Sequence, residues 1–275
     1  IIIPLRDERQ SLDELYHGIV EVVRPLNCSY EIIFIDDGSS DDSFESVRAL
    51  RAQNPAVKGI RFRRNFGKSL ALNEGFLSAK GDIIITMDAD LQDDPQEIPR
   101  LIDKLNEGYD LVSGWKQDRK DPVFSKNLPS KFFNLMVRLG SGLKLHDFNC
   151  GFKAYRRPVV EGFHLYGELH RFIPALVHAQ GYKVTEIPVA HHPRRFGKSK
   201  FGLVRFTHGF FDFLTVVFLT RFLKRPMHFF GGLGSLVSLL GVAICSYLSL
   251  LWLLGEKIGH RPLLSLGVLL IIVGG

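Results

Sequence analysis

The sequence predicts an α/β domain on a mainly parallel sheet, followed by an interfacial amphipathic helix and C-terminal membrane helices. Three observations carry this. Short β-rich runs alternate with amphipathic stretches, the pattern of parallel strands joined by right-handed crossovers. Two of those runs end in acidic turns, "DDGSSDD" and "DADLQDD". Residues 229–254 carry no charged side chain, a run longer than the roughly 20 residues that cross a bilayer at about 1.5 Å per residue.

The elements follow in order. "IIIPL" reads as a strand already under way. "SLDELYHGIVEVVRPL" has apolar residues at helical spacing, and Ser11 with Glu14 suggests a capping box. "YEIIFIDDGS" and "VKGIRF" are strands, "GKSLALNEGFLSA" a helix, "GDIIITM" a strand, "PQEIPRLIDKLNEG" a helix and "YDLVSG" a strand. Residues 116–131 are polar and basic and read as a loop. "CGFKAYRR", the helix "LHRFIPALVHAQG" and the strand "YKVTEIPVAHH" follow, and "PRRFGKSKFG" is a basic loop. Residues 203–221 form a Phe-rich helix with one polar stripe, Arg205, His208, Asp212 and Thr215, which suits a membrane interface.

The 275 residues and net charge of +6 suit one large α/β domain with an addition. The division expected is a domain over 1–202, an interfacial region over 203–225 and a membrane region over 226–275. The last holds one full span at 229–254 and a second starting near 263 that the end of the sequence cuts short. Basic "TRFLKRP" before the span places the domain in the cytoplasm and the chain in the cell (inner) membrane as a multi-pass protein. Lys257 and Arg261 in the next loop pull against that orientation. No signal peptide is visible. Cys28, Cys150 and Cys245 have no pairing pattern and read as reduced thiols.

Ligands of open α/β sheets bind at the carboxyl ends of the strands, where both acidic turns lie. Mg²⁺ and Mn²⁺ take oxygen ligands, often one or two carboxylates completed by substrate phosphates. Asp88 and Asp90, with Gln92 beyond them, offer such a set, while Asp93, Asp94 and Pro95 read as the start of the next helix; on spacing alone a solvated acidic turn is the better reading of D-x-D. The context is cationic: Lys68, Lys116, Arg119, Lys120, Lys126, Lys131, Arg194, Arg195, Lys198 and Lys200 fall in expected loops. A solvated role is the simpler reading of any one of them, but "RRFGKSK" gathers four cations around a glycine and suits a diphosphate. P-loop and dinucleotide fingerprints are absent. Nucleic acid is excluded as a partner, since no recognition motif accompanies the charge. His170, His191 and His192 lack the spacing of a zinc site.

Together "IIIPLRDE", "FIDDGSSDDS", "RNFGKSLALNEGF", "MDADLQDDP", "DFNCGFKAYRR", "LHRFIP" and "RRFGKSKFG" resemble, in family order, the family 2 glycosyltransferases of GT-A fold, in their polyprenyl-phosphate branch. That branch includes bactoprenol glucosyltransferases and dolichol-phosphate mannose synthases, and the resemblance covers residues 1–205. It implies that Pro4, Arg6, Glu8, Ile35 and Asp37 hold the nucleotide base and ribose. Asp88, Ala89, Asp90 and Gln92 form the donor and metal turn, with Asp90 and Gln92 as ligands to Mg²⁺ or Mn²⁺. Lys116 lies near the phosphates, and Arg194 with Lys200 closes on the diphosphate. Lys126, Ser130 and Lys131 take the acceptor phosphate. Asp147 stands where other family members can carry a base.

The resemblance further implies transfer with inversion from a nucleotide-diphosphate sugar to a polyprenyl phosphate: UDP-glucose to undecaprenyl phosphate first, GDP-mannose to a dolichyl or bactoprenyl phosphate second, with a UDP-4-amino sugar as a further alternative. Asp88, Asp90, Arg194 and Lys200 would carry the chemistry; apart from the resemblance, the spans and the Phe-rich surface could support a homo-oligomer. Two rival readings remain. A polysaccharide synthase would carry a Q-x-x-R-W motif, yet neither Trp115 nor Trp252 follows an arginine. A non-catalytic scaffold would have lost the D-x-D turn or the basic loop.

Overall fold

A computed structural model describes residues 1–117, 134, 135, 137, 138, 140–162, 164–193, 195, 215, 218, 222, 226–256 and 262–275. Contacts divide the chain into two units, Ile1–Val216 and Val217–Gly275. In the first, seven strands form one sheet: β1 (Ile2–Leu5), β2 (Ile32–Asp36), β3 (Val57–Arg61), β4 (Ile83–Thr86), β5 (Leu111–Lys116), β6 (Lys153–Arg156) and β7 (Val184–Val189), in the order β3-β2-β1-β4-β6-β5-β7.

The sheet is mixed, which corrects the expectation drawn from alternation alone. β1 to β5 and β7 run one way, while β6, which carries "KAYR", pairs antiparallel with both β4 and β5. The reversal matters for the site. It brings the start of β6, with Cys150 and Gly151 just before it, to the same edge as the carboxyl ends of the other six strands.

Helices α1 (Arg9–Val23), α2 (Ser43–Gln53), α3 (Lys68–Ser78) and α4 (Ile98–Asn106) follow β1 to β4, and α5 (Arg157–Glu161) and α6 (Ile173–Ala179) follow β6. Strand side chains alternate between faces. Ile3, Leu5, Ile32 and Phe34 therefore join Leu12, Leu15 and Ile19 of α1, Val47 and Leu50 of α2 and Leu101 and Leu105 of α4 in one core. Ile2 and Ile35 face the other way, against Gly75 of α3.

Two local expectations change. The capping box at Ser11 and Glu14 does not form. α1 begins at Arg9, so Ser11 lies inside its first turn and donates to the Glu8 carbonyl at 2.8 Å. The helix expected from Pro95 opens as a tight 3-10 turn, Pro95–Glu97, before α4, with Asp94 accepting from the Gln96 N–H at 2.9 Å.

The second unit contains α7 (Pro226–Leu253) and α8 (Pro262–Gly274). α7 is the one described helix long and apolar enough to cross a membrane, with 28 residues and an 18-residue stretch of mean hydropathy 2.2. Leu236, Leu239, Leu250 and Trp252 are all exposed, and a lipid surface accounts for that exposure better than water does. α8 is too short to span by itself. It lies against α7 through glycine: a Cβ on Gly241 would stand 2.6 Å from the Gly267 carbonyl oxygen, and one on Gly234 2.5 Å from that of Gly274. Small residues let helix backbones approach this closely. The expected interfacial helix at 203–225 lies almost wholly outside the described residues.

Candidate active site

The carboxyl edge of the sheet begins with the "DDGSS" turn. Asp36 is fully buried, 3.3 Å from Arg61 Nε, and accepts the Ser39 N–H at 2.7 Å. Asp37 reaches the other way and accepts the backbone N–H groups of Phe66 (2.7 Å) and Gly67 (3.0 Å), one on each oxygen. Gly38 has φ +70°, and a Cβ there would lie 2.5 Å from the Arg64 carbonyl carbon, so only glycine lets the two loops meet. "FIDDGSS" and "RRNFGK" are thus one structural unit. Beside it an open cleft of about 350 Å³ is lined by Gly38, Ser39, Arg61, Phe62 and Arg63.

The residues expected at the nucleotide differ in what they expose. Pro4 is half-buried in β1 and Arg6 is exposed, its Nε 3.8 Å from Asp7. Glu8 is half-buried at the start of α1, where its N–H donates to Ser43 Oγ at 2.9 Å. Ile35 is fully buried, with its side chain turned against Gly75, so what it offers this edge is backbone. Asp37 lines the same edge, with each carboxylate oxygen holding a backbone amide.

The "DADLQ" turn follows β4. Asp88 contacts Lys68 Nζ through Oδ1, and its carboxylate lies flat on Gly151, where a Cβ would come within 2.7 Å of Oδ2 and 2.8 Å of Oδ1. Burial alone would raise the Asp88 carboxyl, but Lys68 and Lys116 outweigh it and hold the group well below the usual carboxylate range. Ala89 and Asp90 are buried, and Leu91 takes a left-handed φ of 59°. That kink lets the Gln92 N–H donate to Asp90 Oδ1 at 3.2 Å. Gln92 Nε2 lies 3.4 Å from His191 Nε2 and 3.4 Å from the His192 carbonyl oxygen, at the end of β7.

Lys116 belongs to β5 and not to a loop, a correction to its expected setting. Its side chain is 12% exposed and its Nζ lies 2.9 Å from Asp93 Oδ1. Burial pulls its pKa down, and Asp93 more than restores it, so the ammonium titrates well above lysine's ordinary value. Asp93 is corrected with it. Together with Asp94 and Pro95 it was expected to start the next helix. Asp94 does so, but Asp93 is buried, holding Lys116 and accepting the Asp88 N–H at 3.2 Å. Burial pushes the neighbouring Cys150 thiol up to about 12, which leaves it neutral and a poor nucleophile. Asp147 is buried, with Oδ1 accepting the Asn149 N–H at 3.1 Å.

Arg194, Lys200, Lys126, Ser130 and Lys131 lie outside the described residues. From the "RRFGKSK" loop Arg195 is described, paired with Glu14 of α1 at 2.6 Å.

Asp90 and Gln92 fit a hard divalent cation. Both are oxygen donors on one kinked turn, and among the described residues no group of three His, Cys, Asp or Glu side chains forms a self-sufficient cage. Such a donor set suits an ion that completes its shell with water and substrate phosphates, as Mg²⁺ does.

Comparison with known proteins decides the family. The model of "Glycosyl transferase family 2" matches residues 1–163. The chain belongs to glycosyl transferase family 2. Among its relatives is the dodecaprenyl-phosphate galacturonate synthase of Rhizobium johnstonii, 36% identical over 99% of this chain and 82% of that protein. Another is the undecaprenyl-phosphate 4-deoxy-4-formamido-L-arabinose transferase of Salmonella choleraesuis, 37% identical over 89% and 73%. The fold is shared with glucosyl-3-phosphoglycerate synthase from Mycobacterium tuberculosis, solved with Mn²⁺, uridine diphosphate and phosphoglyceric acid. The TM-score is 0.59 at 17% identity, over 80% of this chain and 76% of that one. This chain is a glycosyltransferase related to the polyprenyl-phosphate sugar transferases.

Within this family 2 site, sequence reading passed over three groups. Lys68 looked like one solvated lysine among many, yet it contacts Asp88. Lys153 starts β6 almost wholly buried and is bonded to the Cys150 carbonyl. His170 was weighed only for zinc. It pairs through Nδ1 with Ser69 Oγ at 2.9 Å and donates its backbone N–H to the same oxygen at 3.1 Å. No local pattern marks these residues, because each meets its partner through the fold.

Proposed function

We propose that the protein transfers a sugar from a nucleotide-diphosphate donor to a polyprenyl phosphate, with inversion, and that UDP-glucose and undecaprenyl phosphate are the first pair to test. The supporting observation is the joining at one sheet edge of the Asp88–Asp90–Gln92 turn, the Asp37 turn and the cleft beside it, in a chain that also carries a membrane-length helix. A soluble acceptor would not require that helix.

In this reading the cleft at Gly38 and Arg61 takes the base and ribose, with Arg6 and Glu8 at its rim. Asp90 and Gln92 would hold Mg²⁺ or Mn²⁺, whose positive charge would be supplied against the diphosphate. Arg194 and Lys200 close on the same diphosphate, and Lys116 adds positive charge behind the turn. Lys126, Ser130 and Lys131 take the acceptor phosphate. With a second pKa near 6 for a phosphomonoester, that phosphate is already anionic at neutral pH and needs no strong base. Its oxygen forms the new bond to the anomeric carbon as the bond to the diphosphate oxygen breaks, and the nucleoside diphosphate leaves. Asp88 stays ionised throughout and orients the sugar.

A second reading of the sugar rests on the relatives. The two named above act, by their names, on galacturonate and on a 4-deoxy-4-formamido pentose, so nucleotide-linked uronic and 4-amino sugars belong beside UDP-glucose and GDP-mannose. The test is a donor screen with purified full-length protein, Mn²⁺, undecaprenyl phosphate and each labelled donor. One donor should give a lipid-linked sugar that Asp90→Ala abolishes. No lipid product from any donor would refute the reading.

A further inference from the structure

We propose that Lys68 is a positioning residue for the transfer reaction: it pins the Asp88 carboxylate against Gly151 and, through Asp37, ties the first acidic turn of the site to the second. The inference rests on the function proposed above.

Four contacts build the connection. Asp37 at the end of β2 accepts the N–H groups of Phe66 and Gly67 at 2.7 and 3.0 Å. Gly67, at φ +93°, is the N-cap residue of α3, so this grip fixes where α3 starts and hence the root of Lys68, its first residue. Lys68 Nζ contacts Asp88 Oδ1. Gly151 closes the far side, since even a methyl group there would collide with both carboxylate oxygens at 2.8 Å or less. The next residue in α3, Ser69, is held independently by the two contacts to His170.

The geometry separates this lysine from a solvated one. Its side chain is 33% exposed and that of Asp88 30%, so the pair is partly sheltered yet open on one face. An ion pair between two side chains that were both free to move would fix nothing. Here the lysine is rooted by Asp37 and Ser69, and the aspartate by Gly151 and the Asp88 N–H to Asp93 bond at 3.2 Å. Losing the ammonium therefore frees the carboxylate to turn away from Gly151. A displaced group of this kind lowers turnover more than binding, because orientation is spent on the transition state.

The experiment is a double-substitution cycle on the full-length protein in detergent, with Lys68→Met, Asp88→Asn and both together. Transfer is measured with Mn²⁺, undecaprenyl phosphate and UDP-glucose, or the donor that the screen selects. Lys68→Met should lower kcat about 10- to 100-fold with KM for the donor changed less than about threefold, and the double variant should be no slower than the slower single one. Lys68→Arg, which keeps a cation in reach, should recover most of kcat. Wild-type kcat in Lys68→Met would overturn the inference. So would a loss confined to KM, which would make Lys68 a donor-binding cation, or single losses that multiply in the double variant.

The same four proteins, unfolded thermally without substrate, give a readout independent of the proposed reaction. The two substitutions should be coupled there as well, and additive effects would overturn the clamp. If the wild type glycosylates no lipid, the proposed function falls, and the unfolding cycle still decides whether Lys68 holds Asp88. Should Lys68→Met fail to fold, Lys68→Arg and Lys68→Gln replace it. A Gln variant as fast as the Arg variant would likewise overturn the inference.

Discussion

Lys116 at the end of β5 reaches Asp93 in the turn after β4, with Nζ 2.9 Å from Oδ1 and exposures of 12% and 0%. This pair fastens the "DADLQDD" turn to the strand on the far side of β6. Removing one member strands the other charge in a buried place, which costs about 3–5 kcal/mol where burial is complete. Lys116→Met should therefore destabilise the protein by about 3 kcal/mol, and adding Asp93→Asn should return part of that loss. Denaturant unfolding followed by the fluorescence of Trp115, the neighbour of Lys116, measures both. A Lys116→Met protein as stable as the wild type would show that the pair is not closed.

Asp37 makes a separate prediction about order. It holds two backbone amides whose loop is otherwise half open to solvent, so Asp37→Ala should cost about 1–2 kcal/mol. Amide exchange at Phe66 and Gly67 should speed up, while exchange in α1 stays slow. Asp37→Asn, which keeps one acceptor, should fall between. Unchanged exchange at both amides would contradict the bonds.

His170 gives a pH dependence. Burial, then Lys68 and Arg171, hold its imidazole well below the ordinary 6.5. As pH falls through 6.5 the unfolded chain takes a proton there and the folded chain does not, so stability declines, by at most about 1.4 kcal/mol per pH unit, until the folded group also titrates. Above 6.5 both states are neutral and the contribution is flat. His170→Asn should flatten the slope of stability between pH 6.5 and 5 by up to one proton relative to wild type, read as urea midpoints across that range. Equal slopes would mean that His170 titrates normally.

The α7–α8 hairpin can be tested chemically. A Cβ on Gly267 would lie 2.8 Å from Cys245 Sγ, within reach of a disulfide. Gly267→Cys should cross-link to Cys245 on mild oxidation, and maleimide labelling of Cys245 should then be lost. Full labelling after oxidation would contradict the packing.

The sequence and the fold agree where the information is local. Ile83, Ile84 and Ile85 ahead of Asp88 mark a strand and its turn, and "RNFGK" with "MDADLQDDP" mark the family. Elements β1 to β5 were legible because apolar runs and turn residues define them. The reversal of β6 was not, because "KAYR" has the same pattern whichever way it runs, and direction is set by its partners β4 and β5. Residue types located the acidic turns but not their couplings. Asp93 looked like a helix start and is a buried counter-ion, while Lys68 and Lys116 looked like solvent cations and are paired. Ile35 was matched through the resemblance alone, and the fold turns its side chain towards Gly75.

The central claim is that the sugar ends on a lipid phosphate. Its most direct test is mass spectrometry of the chloroform–methanol extract after the full-length protein has been incubated with Mn²⁺, undecaprenyl phosphate and the donor it accepts, beside an Asp90→Ala control. The account predicts a new species heavier than undecaprenyl phosphate by one glycosyl unit, sensitive to mild acid and missing from the control. Release of the nucleoside diphosphate with the sugar recovered in water, and the lipid unchanged, would contradict it.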